Sequence, residues 1–171
     1  MIIDFNNNND LISNQVNTYL NNLEIIKNSK YLSLKEPLTI ITPNLYIPFG
    51  VEKYYTNYIL KLQLRDFKTD KMILFEKLII SIENKLNDLL DNKLSSNMKY
   101  SMKYDPLLTV KLIQNKNVFT CNAAYKNNKN DLINILDIDS KQYCNCELNI
   151  DTIWKFKENY YYKIKLKNIY I

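Results

Sequence analysis

The chain has 171 residues, 46% of them hydrophobic, and a formal net charge of +5, so it can bury one core and is too apolar to be disordered throughout. It contains no histidine, and Gly50 is its only glycine, which excludes glycine-rich phosphate loops, serine nucleophile elbows and histidine acid–base chemistry. Of 23 basic residues only Arg65 is an arginine, so a polyanionic partner would be held by lysine point charges more than by guanidinium forks.

Residues 1–30 open on the run Asn6-Asn7-Asn8-Asn9, and Leu11, Ile12, Val16, Tyr19, Leu20, Leu23 and Ile26 follow at helical spacing. This predicts a loose arm followed by a short amphipathic helix. The segment carries −1, which leaves +6 on residues 31–171. From Tyr31 the pattern turns toward period two, with Pro37, Pro43 and Pro48 breaking it into short extended pieces. A strand is predicted from Tyr58 to Arg65, with Tyr58, Leu60, Leu62 and Leu64 on the core side and Ile59, Lys61, Gln63 and Arg65 on the other. Asp70 is the expected cap of a helix whose stripe is Phe75, Leu78, Ile79, Ile82, Leu86 and Leu89.

Residues 92–103 are polar and read as a loop carrying Lys93, Lys99, Tyr100 and Lys103. Leu108, Val110 and Leu112 then alternate with Thr109, Lys111 and Ile113, Gln114–Asn117 is a hairpin turn, and Phe119, Cys121 and Ala123 resume the alternation. Leu132–Leu136 reads as a helical turn before a strand with Cys144, Cys146, Leu148 and Ile150 inward. In the last strand Tyr162, Ile164 and Leu166 share one face, while Tyr161, Lys163, Lys165 and Lys167 share the other. About six strands, one long inserted helix and no βαβ alternation predict a mainly β fold. The expected form is a small Greek-key barrel of the oligonucleotide-binding (OB) type over residues 31–171, with an open sandwich as the alternative.

The sequence offers little to catalysis or to metals. Asp137 and Asp139 read as solvated turn acids, and Cys144-Asn145-Cys146 has the wrong spacing for a zinc knuckle, so buried free thiols are expected. Neither a metal nor a cofactor is expected, nor a membrane partner: no apolar run spans a bilayer, and Met1–Phe5 lacks the basic region of a signal peptide, which predicts a soluble, non-secreted protein.

What remains is lysine interleaved with aromatic residues, the means by which single strands are bound without reading sequence. The candidates are Lys53, Tyr54 and Tyr55; Lys61 and Arg65 on the outward side of their strand; Lys111; Trp154 and Lys155; and Tyr161 with Lys163, Lys165 and Lys167. The plainer alternative makes these rings edges of the core and these lysines solvated charges.

The block Ile41-Thr42-Pro43-Asn44-Leu45-Tyr46-Ile47-Pro48-Phe49-Gly50-Val51, with Tyr54 and the strand Tyr58–Leu62 after it, resembles the opening of the OB-fold single-stranded DNA-binding proteins of nucleocytoplasmic large DNA viruses, themselves similar to a phage replication family. The resemblance runs on through Tyr104–Lys111, the Cys144–Cys146 strand with Ile153-Trp154, and the closing strand Tyr162–Leu166. It implies a non-enzymatic protein that binds single-stranded DNA during replication, repair and recombination in the host cytoplasm or a viral replication compartment. Replication proteins are then expected partners, with RNA and a second copy of the chain left open. The richness in Asn, Lys and Tyr agrees with an AT-rich genome. Two differences from that family stand out: the chain ends on Lys167-Asn168-Ile169-Tyr170-Ile171 in place of an acidic tail, and Lys157-Glu158-Asn159 replaces glycines at the final hairpin. A virion or scaffold protein that uses the barrel for protein–protein assembly is the second expectation.

Overall fold

The computed structural model describes the chain except residues 29–30, 66–68, 92, 122 and 127–130, and of 123–126 and 131 the backbone alone. The N-terminal arm is not loose. Ile2–Asp4 forms strand β1, which runs parallel to β3 (Leu32–Ile41) with Ile2 opposite Thr39. Helix α1 (Asn9–Asn21) follows, because the Asn8 side chain accepts the Leu11 N–H at 2.9 Å and satisfies one orphan donor of the first turn. Ile3, Phe5, Ile12 and Tyr19 lie in the same core as the later strands. A short β2 (Ile25–Lys27) pairs antiparallel with β3.

Five strands close a barrel. In chain order they are β4 (Leu45–Ile47), β6 (Asn57–Gln63), β9 (Leu107–Leu112), β14 (Gln142–Phe156) and β15 (Asn159–Tyr170). Around the ring they run first, second, third, fifth, fourth and back to first. The third and fifth are parallel, with Lys165 opposite Lys111, and the other neighbours are antiparallel. This is an OB-like Greek-key closure, and it removes the unpaired edges that an open sheet of these strands would present. The predicted alternation holds: Leu60, Leu62, Val110, Cys146, Leu148, Ile150, Ile164 and Leu166 are buried. In β14 the inward phase shifts by one residue between Ile150 and Ile153, where the ladder is bulged. Such a bulge bends a 15-residue strand enough to serve both β15 and β3.

Helix α2 (Asp70–Leu89) is inserted between the second and third barrel strands. Its cap is Thr69, whose side chain accepts the Met72 N–H, and Asp70 is the first helical residue. Phe75, Leu78, Ile79, Ile82 and Leu86 are buried as the spacing predicts, whereas Leu89 is exposed and Leu90 takes its place in the core. Each such side chain contributes about 1.5–3 kcal/mol on full burial. Phe75 meets Phe5 edge to face at 5.4 Å, tying the N-terminal segment to this helix.

Three local expectations change. The polar stretch 92–103 contains β7 (Leu94–Ser95), parallel to Tyr160–Tyr161, and β8 (Met98–Lys99), antiparallel to β9, because their backbone groups find partners on neighbouring strands. The Gln114–Asn117 turn forms, with Lys116 and Asn117 both at positive φ, but it closes only the two-residue strands β10 (Gln114–Asn115) and β11 (Val118–Phe119). Leu132–Leu136 is mostly extended: β13 (Asp131–Asn134) pairs with β12 (Ala123–Lys126), and only Ile135–Asp137 make a 3₁₀ turn.

Gly50 precedes β5 (Val51–Tyr54), which pairs with β6. Its φ is +70°, and a Cβ there would stand 2.9 Å from the Ile138 carbonyl oxygen. Gly50→Ala is therefore expected to cost about 1–3 kcal/mol from strain and crowding together. Thermal denaturation followed by circular dichroism should show a melting temperature several degrees lower.

Candidate nucleic-acid interface

The outward wall over β6, β9, β15 and β14 collects most of the predicted side chains, because alternation on each strand that buries one residue turns its neighbour out. Cα pairing sets a row across it: Glu52 opposite Ile59, Ile59 opposite Lys111, Lys111 opposite Lys165, Lys165 opposite Asn149. At the end where β14 turns into β15, Trp154 pairs with Tyr161, and their rings stack with centroids 4.7 Å apart and planes 25° from parallel. The amines of Lys111 and Lys163 stand 5.6 and 5.7 Å from the centre of the indole. Both aromatic residues are half-buried. The indole N–H is buried without an acceptor among the described residues.

This arrangement concentrates positive charge on a flat apolar surface. Partial burial, and then the charge of Lys163, lower the pKa of Lys111. The negative charge of a phosphate beside the two ammonium groups would favour their protonated forms and oppose both effects. The adjoining turn adds more of the same chemistry: Lys155 lies 5.3 Å from the centre of Tyr160, and Lys157 lies 5.6 Å from that of Phe156, which is exposed.

The lysines farther along the wall already have partners. Lys61 pairs with Glu52 at 2.7 Å, Lys165 with Asp151 at 2.7 Å and Lys167 with Glu147 at 2.9 Å. Burial pushes the Asp151 carboxyl up, but hydrogen bonds from Lys165 and Thr152 outweigh it and leave the group below its usual range. Glu147 is also lowered, first by the hydrogen bond from Lys167, against burial, with a further contribution from Asn168. Carboxyls whose folded pKa is depressed stabilise the fold above their unfolded values, here 3.8 and 4.5, and lose that contribution as pH falls through the lower folded values. Acid titration of the melting temperature should therefore show a fall below about pH 4.5 that is shallower in Asp151→Asn.

Lys53, Tyr54 and Tyr55 sit on the β5–β6 hairpin. Tyr54 and Tyr55 are 62% and 82% exposed and meet edge to face at 4.8 Å, while Lys53 lies over Tyr58 at 5.7 Å. Strands two and three of an OB barrel, with its first and last hairpins, are where such folds take oligonucleotides and oligosaccharides. Here those hairpins carry Tyr54–Tyr55 and Trp154–Phe156–Tyr161. Arg65 belongs elsewhere: its guanidinium lies 4.5 Å from the centre of Tyr46, beside Tyr143. Phe49, 5.4 Å from the Lys61 amine, and Phe156 and Tyr160 escape the sequence reading. For Phe156 the signal is present, since it continues the period-two alternation of Trp154 with Lys155 and Lys157.

The three cysteines are buried thiols outside any disulfide, with the Cys144 and Cys146 sulfurs 3.7 Å apart and burial pushing the Cys146 thiol up. Among the described residues no three His, Cys, Asp or Glu side chains gather as a metal ion requires, and no helix is long and apolar enough to cross a membrane.

Neither the protein-family models nor the curated proteins include a match to this chain.

Proposed function

We propose that this protein binds single-stranded DNA without reading its sequence, lysines holding phosphates and aromatic rings stacking bases. The observation that carries the reading is the Trp154–Tyr161 stack with Lys111 and Lys163 beside it, set on the wall of an OB-like barrel. Rings of this kind accept any base, since every base has a π-face, and lysine grips a phosphate without identifying the base it carries. The resemblance to viral single-stranded DNA-binding proteins supports a role in viral DNA replication, repair or recombination, without catalysis or a cofactor, inside the infected cell.

A labelled oligothymidine titrated by fluorescence anisotropy tests this. Among the described residues Lys53, Lys111, Lys155 and Lys163 have no carboxylate partner, whereas Lys61, Lys165 and Lys167 do. If only the four release counterions, log K should fall against log salt with a slope of about −3; if all seven engage, the slope is about −5. We expect the shallower value, and weaker binding to a duplex of the same length. Absence of binding at low salt would remove the proposal.

Tyr100, Met102 and Tyr104, all exposed on the segment before β9, favour a second reading as an assembly module. That reading requires concentration-dependent self-association or partner capture that survives high salt, where lysine–phosphate contacts fail.

A further inference from the structure

Arg65, the only arginine in the chain, faces a cleft of its own. The cleft has a volume of about 490 Å³ and is lined by Arg65, Tyr143, Lys71, Asn9, Asn44 and Asp70 among others. The guanidinium lies over Tyr46, which meets Tyr143 edge to face at 5.2 Å. Among the described residues Arg65 makes no ion pair and Asp70 is the only acid in the lining. An arginine laid on a tyrosine presents its outer π-face to a further planar group, and its in-plane N–H donors match a phosphate.

The cleft continues the wall described above. Tyr46 is opposite Gln63 across β4 and β6, and Gln63 is two residues beyond Lys61 on the same outward side of β6. From β15 through β9 and β6 to β4 there are three strand-to-strand steps, roughly 15 Å in all. An extended single strand can therefore leave the Trp154–Tyr161 stack, pass Lys111 and Lys61, and reach Arg65.

Resting on the proposed function, we propose that this cleft is a second nucleotide subsite for the same DNA strand. A base stacks on the outer face of the Arg65 guanidinium, already backed by Tyr46, and the adjoining phosphate takes Arg65 and Lys71. The Asn44 side chain is placed to meet the edge of that base. Short oligomers would occupy the Trp154 patch alone, and longer ones both places.

Anisotropy titrations with oligothymidines of about 4 and about 12 nucleotides, within the range of site sizes for such barrels, separate these cases. Arg65→Ala should leave the short oligomer unchanged and weaken the long one about tenfold. Arg65→Lys, which keeps the charge without the plane, should weaken the long one nearly as much. Arg65 is exposed, and unchanged thermal melts would show that both variants keep the fold. If the wild type binds both oligomers and Arg65→Ala binds the long one equally well, the subsite is overturned and the single-strand reading stands. If Arg65→Lys matches the wild type, stacking on the guanidinium is overturned. If the wild type binds neither oligomer at low salt, the single-strand reading itself fails.

Discussion

Glu83→Ala is expected to lower the unfolding free energy by about 3–5 kcal/mol, because it leaves the buried Tyr162 hydroxyl and the partly buried Asn97 N–H without their charged acceptor. Glu83 lies on the core side of α2, 9% exposed. Its carboxylate accepts the Tyr162 hydroxyl at 2.5 Å and the Asn97 N–H at 3.0 Å, and the Ser96 hydroxyl is 2.7 Å away. Tyr162 is itself buried, and burial together with the charge of Glu83 pushes its phenol well above the usual value. The Asn97 side chain in turn donates to the Tyr162 carbonyl at 3.0 Å. One carboxylate therefore pins the helix to the start of the last barrel strand and to the segment between β7 and β8. At about 2–4 °C per kcal/mol for a chain of this size, the melting temperature should fall by roughly 10 °C. Glu83→Gln keeps an acceptor and should cost less, and Tyr162→Phe less again. A melt of Glu83→Ala within a degree or two of the wild type would show that the network contributes nothing net.

Trp154→Ala is expected to weaken oligothymidine binding by about 5- to 150-fold, the range of about 1–3 kcal/mol for one stacked base. The indole holds Tyr161 in place and lies beside the Lys111 and Lys163 amines, so its removal disperses all three groups. Stability should fall less than burial of so large a ring implies, since the variant also removes an indole N–H that is buried without a partner. Trp154 is the only tryptophan, so its fluorescence reports on the same site in the wild type and should be quenched as a base stacks there. Lys163→Ala should instead flatten the salt dependence by about 0.7 in slope, with the base contribution retained. If Trp154→Ala binds as the wild type does, the stacking belongs to Tyr54 and Tyr55 on the other hairpin.

Much of this molecule is written locally. Period-two runs such as Leu60-Lys61-Leu62 and Ile164-Lys165-Leu166, and the three-four stripe from Phe75 to Leu86, identify their strands, their helix and their buried faces, because side-chain direction follows from backbone period alone. The same alternation turned Lys111, Tyr161 and Lys163 outward, whereas Trp154 faces out because the bulge between Ile150 and Ile153 reverses the phase of its strand. It could not see strands as short as Ile2–Asp4, Leu94–Ser95 or Met98–Lys99, which exist only because another strand offers them hydrogen bonds.

The tertiary structure decided which outward residues meet. Trp154 and Tyr161 are seven positions apart, yet they stack because the hairpin register sets them opposite each other; Lys111 joins them because the third and fifth strands run parallel. Hairpin register likewise set Lys61, Lys165 and Lys167 beside acids, and the pairing of β4 with β6 carried Arg65 to Tyr46. Composition and period determine that this chain makes a mainly β fold with lysines on the outward faces of its strands, and the closed barrel is settled by strand pairing. The sharing of those charges between phosphate and carboxylate depends on distances of a few ångströms between neighbouring strands, and only folding sets them.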